Sequence, residues 1–171
     1  MRKFLFAILL AFGVTTANAQ KFVMVDMEYI LKALPAYERA NEQLSQVSKK
    51  WQAEVEALNT EAQTLYKEYR NQAVFLSDEQ KTKKEEEIVA KEKEASELKR
   101  KYFGPDGELY KKRESLMTPI QDEIYNAVKD ICEQKGISLV LDRASDAGII
   151  FASPKVDISN DVLQKLGFGS N

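Results

Sequence analysis

Between Ala36 and Leu76 the chain sets an apolar or small residue at every third or fourth position: Tyr37, Ala40, Leu44, Val47, Trp51, Val55, Leu58, Ala62, Leu65, Tyr69, Ala73 and Leu76. No Gly or Pro interrupts the run. The spacing predicts an amphipathic helix of about 40 residues, about 60 Å long at the α-helical rise. Four-residue steps on both sides of Trp51 depart from a strict heptad, so supercoiling should relax there. Ser77-Asp78-Glu79-Gln80 then fits a capping box, in which a Ser hydroxyl and a Gln side chain satisfy free amides at a helix start. In the segment that follows, Ile88, Ala95, Tyr102, Leu109 and Leu116 recur every seven residues, with Leu98 between them. A seven-residue period is what two wound helices require, so the two segments are predicted to form an antiparallel hairpin with its tip near Ser77.

The same frame meets Gly104-Pro105-Asp106-Gly107, which would cost about 5 kcal/mol inside a regular helix and therefore predicts a break. Beyond it, Leu116, Ile120, Ile124, Val128 and Ile131 form a denser stripe that Gly136 can cap. Three short runs suit strands: Lys21 to Asp26, Ile137 to Leu141, and Ile149 to Ala152. The second is almost wholly apolar, which predicts burial on both faces, and the third reads as its hairpin partner across the polar turn from Asp142 to Gly148. A short helix over MEYILKAL must stop at Pro35, and Ser159 is placed to cap a terminal helix carrying Val162, Leu163 and Leu166 up to Gly167.

The predicted fold class is α+β: a small β-rich body, from 20–36 and 117–171, joined to a coiled-coil hairpin arm over 37–116. So small a body is marginal as an independent core and leaves sheet edges open, which predicts association of several copies through strands. Phe22, Met24, Ile137, Leu139, Leu141, Ile149 and Phe151 are the expected core of that assembly.

Residues 1–19 differ from the rest, with Arg2 and Lys3 ahead of an apolar run from Phe4 to Val14 and the small-x-small pattern Ala17-Asn18-Ala19. This reads as a cleaved export signal, because the run is about half the 20 residues a membrane span needs. Its removal leaves 23 of the 25 basic residues against 27 acidic ones, a net charge of −4. An acidic balance argues against nucleic acid as a partner and limits membrane contact to the periphery. Between Asp78 and Lys101, eight acids face eight bases among 24 residues, a solvated helix surface laced with pairs such as Glu87-Lys91 and Glu97-Lys101.

The chain has no histidine and one cysteine, Cys132. That removes Ser-His-Asp triads, His-activated cysteines and His-ligated metals, and it permits no intrachain disulfide. There is no GxxxxGK[ST] or GxGxxG loop, hence no nucleotide cofactor is expected. Glu85, Glu86 and Glu87 lie among lysines and read as a solvated face rather than a metal or acid-base site. No catalytic residue and no metal ligand is assigned.

The order of these features resembles the Skp/OmpH family of periplasmic chaperones. The resemblance runs over the whole mature chain and rests most on its two ends: FVMVDMEYIL followed by Pro35, and ISLVLD with the closing segment Asp157, Ile158, Ser159, Val162 and Leu166. It implies a homotrimer whose bodies share a β-barrel and whose three arms enclose a cavity. It also implies a periplasmic holdase that binds unfolded outer-membrane proteins without ATP. The net charge of −4 and the GPDG element depart from the basic relatives. Tyr66, Val74, Phe75 and Phe103, large residues beside the hairpin seam, are the client-binding candidates; Tyr69, Leu76, Ile88 and Tyr102 lie on the seam and are read mainly as packing. The alternative reading is a structural coiled-coil envelope protein or an adaptor of an export assembly.

Overall fold

The structure, a computed structural model, describes residues 21–145 and 148–169; the predicted export signal lies outside them. In chain order the elements are β1 (Lys21–Val25), α1 (Met27–Ala33), α2 (Pro35–Gln72), α3 (Asp78–Phe103), α4 (Glu108–Lys135), β2 (Ile137–Asp142), a 3-10 turn (Pro154–Val156) and α5 (Ser159–Lys165). The chain divides into two compact units: one runs up to Ile30 and resumes at Asn126, the other is Leu31–Tyr125.

In the second unit, Leu34 is extended (φ −92°, ψ 119°) because Pro35 follows it, and Pro35 opens α2 at a position where its missing N–H is no loss. Every position of the predicted α2 stripe is buried or half-buried. The helix stops at Gln72, short of Leu76, since the chain must reverse before Ser77: Ala73 N–H donates to Tyr69 O (2.8 Å) and Phe75 N–H to Gln72 O (2.8 Å). The capping box forms as its sequence dictates. Gln80 N–H donates to Ser77 Oγ (3.3 Å), and Ser77 N–H donates to Gln80 Oε1 (2.9 Å). Helix α3 then runs back along α2, with Trp51 beside Tyr102 and Glu61 beside Lys91.

The predicted break is present. Gly107 N–H donates to Gly104 O (2.9 Å), closing a turn between α3 and α4. Close approach selects both glycines: a Cβ on Gly104 would collide with the Arg100 carbonyl, and one on Gly107 would lie 2.7 Å from Tyr102 O. Pro119 sits inside α4, where it removes one intrahelical hydrogen bond, a feature the apolar periodicity does not register.

In the first unit, β1 and β2 pair in parallel, Phe22 opposite Leu139 and Met24 opposite Leu141. A parallel pair needs a long crossover, and here everything from Met27 to Gly136 supplies it. Gly136 (φ 63°) makes the left-handed exit from α4 into β2. On the other side of β1, Ile158 N–H donates to Met24 O (2.9 Å), so the closing segment lies along β1. Met24, Val25, Ile30, Ala127, Ile131, Ile158, Val162 and Leu163 form the buried apolar core.

Three sequence expectations are corrected. Ile149 to Ala152 forms no strand; Ile150 and Phe151 are exposed. A β-branched run supplies strand propensity but no partner, and among the described residues β2 pairs only with β1. For the same reason β2 is not buried on both faces, and Leu139 is exposed. Ser159 does not cap α5. Ile158 holds that position without a side-chain bond, because the Ser159 hydroxyl is engaged with Asp26 and Asp157.

Candidate functional site

The hairpin of α2 and α3 has two different flanks. At the seam, Trp51 and Tyr102 stack with ring centroids 4.7 Å apart and planes 6° from parallel, and Phe103 meets Tyr102 edge-on. Such pairs contribute beyond their buried area. On one flank polar groups cross between the helices: Tyr102 Oη donates to Glu54 Oε2 (2.6 Å), and Lys91 Nζ lies 3.1 Å from Glu61 Oε2. Nearer the tip, the Tyr69 hydroxyl donates to Glu85. The hydrogen bonds to Glu54 and Glu85 raise the Tyr102 and Tyr69 phenols above their ordinary pKa, and Glu94 with Glu61 raises the Lys91 ammonium.

The opposite flank is open. Gln52, Glu56, Asn59 and Gln63 follow at steps of four, three and four on α2, one stripe beside the seam. Two adjoining clefts run along it, both bordered by Glu56 and Asn59. One, about 310 Å³, is closed by Phe103 and Lys99; the other, about 430 Å³, reaches Tyr66, Lys67 and Glu92.

The four client-binding candidates therefore occupy two places. Tyr66, half-exposed, and Phe103, half-buried, stand at the two ends of this open flank. Val74 and Phe75 lie in the turn at the tip, 86% and 88% exposed. They escape burial because α2 ends before them and the capping box starts after them. Around them the charges are balanced and paired, Lys81 with Asp78 (3.5 Å) and Lys83 with Glu79 (3.1 Å). The amides of the open flank went unnoticed in the sequence, where only the apolar stripe carried a signal; their period of four, three, four was the available clue.

In the first unit, a polar knot ties together the ends of β1, β2 and the closing segment. Asp26 N–H donates to Ser159 Oγ (2.8 Å), Ser159 Oγ donates to Asp157 Oδ1 (2.6 Å), and Ser159 N–H donates to the same oxygen (2.9 Å). Arg143 spans both carboxylates, Nε 3.4 Å from Asp26 Oδ2 and Nη1 3.0 Å from Asp157 Oδ2. Burial alone would push the Asp157 carboxyl up. The bonds from Ser159 and Arg143 outweigh it and hold Asp157 below the ordinary carboxylate range. The knot borders a cleft of about 350 Å³ with Tyr29 and Asn160, but its groups are already paired, so the arrangement fastens three segments and offers no activated nucleophile.

Of the residues expected at the core of an assembly, Met24 is buried within the chain; Ile137, Leu141 and Ile149 are half-buried; Phe22, Leu139 and Phe151 are exposed. The Cys132 thiol is half-buried and raised in pKa by burial. Among the described residues no cluster of three or more His, Cys, Asp or Glu could hold a metal ion, and no helix is long and apolar enough to cross a membrane.

Comparison with known proteins matches this arrangement to a family. The profile of the outer membrane protein (OmpH-like) family matches residues 21–166. Chaperone protein Skp of Photorhabdus laumondii is 28% identical over 139 residues, 80% of this chain and 81% of the relative. Chaperone protein Skp of Photorhabdus luminescens is 27% identical over 139 residues, with the same coverage. The crystal structure of an OmpH-like outer membrane chaperone from Caulobacter crescentus superposes with a TM-score of 0.70, covering 86% of this chain and 83% of that one at 13% identity, a likeness of fold.

Proposed function

Since the chain belongs to the OmpH-like outer membrane protein family, alongside Skp chaperones, we propose that it is an ATP-independent periplasmic holdase that keeps unfolded outer-membrane proteins from aggregating. The observation that carries this reading is the long two-helix hairpin with Tyr66, Val74 and Phe75 left exposed along and at the end of it. Many weak contacts of this kind bind an unfolded chain by avidity without selecting one structure, and binding the unfolded form slows its encounters with other chains. The predicted export signal supports a periplasmic location, where no ATP is at hand.

The acting unit is proposed to be a homotrimer. Among the described residues β2 has no partner on its second edge, and Phe22, Leu139, Ile150 and Phe151 of the same unit are exposed, which supports joining of copies by strand addition. The test dilutes a urea-unfolded outer-membrane β-barrel protein into buffer with the mature protein, following light scattering and the mass of the complex. Suppressed scattering with one client per trimer is expected. Unchanged scattering at stoichiometric trimer overturns the holdase reading and leaves the adaptor of an export assembly.

A further inference from the structure

The two flanks of the hairpin differ in a way that bears on what a client offers to it. Glu54–Tyr102 and Glu61–Lys91 close one side with cross-helix bonds. The other side holds Gln52, Asn59 and Gln63 in a row, and its two clefts share the borders Glu56 and Asn59. The Gln52 amide makes one long bond, Nε2 to Ser48 Oγ at 3.4 Å, within its own helix. A primary amide both donates and accepts, so a row of them matches a partner that presents N–H and C=O groups alternately.

The nature of that partner follows from its hydrogen bonds. A helix has already satisfied its main chain, so the row of amides adds nothing to what its side chains gain from the apolar lining at Val55 and Ala62. An extended unfolded segment leaves its N–H and C=O groups unpaired and gains by placing them against amides. Aromatic residues at the two ends, Phe103 and Tyr66, take side chains from either end of such a segment. From Gln52 to Tyr66 the flank is about 21 Å long, the span of six or seven extended residues at about 3.3 Å each. Glu56 borders both clefts, with Lys99 at one and Glu92 and Lys67 at the other, so two acids and two bases stand along the flank and favour neither an acidic nor a basic client.

We infer that the Gln52–Asn59–Gln63 flank is a binding groove for the main chain of an extended, unfolded polypeptide, with Phe103 and Tyr66 as terminal side-chain contacts. This rests on the holdase reading and adds to it how clients unrelated in sequence are held: the groove reads what all unfolded chains share. A second copy of this chain is the competing occupant.

The test uses the full mature protein carrying the photoreactive residue p-benzoylphenylalanine at Asn59, or at Thr64 on a different face of α2, and a urea-diluted outer-membrane β-barrel protein as the probe. Crosslinking to the client from position 59 and not from 64 is expected. In parallel, Q52A/N59A/Q63A should weaken client binding about tenfold, the loss of a few modest hydrogen bonds, with helicity and melting temperature kept because Ala favours helix. Crosslinks from position 59 to a second copy, or equal crosslinking from both positions, overturn the groove even if the unmodified protein suppresses aggregation. If the triple variant binds as tightly as the parent while the parent suppresses aggregation, the groove fails and the holdase reading stands. Failure of the parent to suppress aggregation overturns the holdase reading itself.

Discussion

The unit built on β1, β2 and α5 and the helical hairpin hold together by different means. In the first, each contact occurs once: Ile30 and Val162 are completely buried, and one serine hydroxyl serves both Asp26 and Asp157. In the hairpin, small apolar contacts such as Val55, Ala62, Ile88 and Ala95 recur along a thin seam, with the Trp51–Tyr102 stack as one larger contact among them. Unique contacts make a region sensitive to single substitutions. Repeated ones spread the loss, because the two helices can shift together around a missing side chain.

Truncation measures this contrast most strongly. Ile30→Ala should cost about 3.5 kcal/mol and Leu44→Ala about 2 kcal/mol, the middle and the lower end of the range for buried truncations. Denaturant unfolding followed by far-ultraviolet circular dichroism checks both, and equal losses would erase the distinction. Gly107→Ala comes next, at about 2 kcal/mol, because a Cβ 2.7 Å from Tyr102 O forces the turn to move. An unchanged melting temperature there would mean that the break tolerates other geometries.

Asp157→Asn should cost about 1 kcal/mol at neutral pH by weakening its bonds to Ser159 and Arg143. The sign of its pH dependence is fixed. Asp157 is held below its unfolded value, so its stabilisation is full above about pH 4 and is lost as the pH falls through the folded value. Denaturant titrations between neutral pH and about pH 3 should show a wild-type increment that the variant lacks. At the small end, Phe75→Ser should change stability by less than about 0.5 kcal/mol, since the ring is 88% exposed, while lowering client affinity measurably. A large loss of stability would make Phe75 a packing residue.

The same contrast explains what could be read from the sequence. The hairpin was legible because its information is local and periodic: the α2 stripe, the heptads of α3, the Ser77–Gln80 box and the two glycines each act within a few residues. The other unit depends on pairings far apart in the chain. Lys21 to Asp26 and Ile137 to Leu141 each read as strands, but neither says which edge it meets, and Ile149 to Ala152 has strand composition without an edge. Ser159 looked like a helix cap because Asp26, its actual partner, lies 133 residues away. Among the client candidates, Tyr66 and Phe103 stood out as aromatics, whereas the row of Gln52, Asn59 and Gln63 was hidden among ordinary polar positions of a solvated helix.

The central claim is that the hairpin holds the client while the other unit holds the assembly together. Deleting residues 54–100 removes matching lengths of α2 and α3, since Glu54 pairs with Tyr102 near one end of the excised stretch and Tyr69 with Glu85 near the tip. Light scattering of a diluted outer-membrane β-barrel protein, measured together with the mass of the shortened protein, tests the claim directly. The account predicts loss of protection with the trimer retained; protection that persists without the distal hairpin, or a trimer that falls apart, would contradict it.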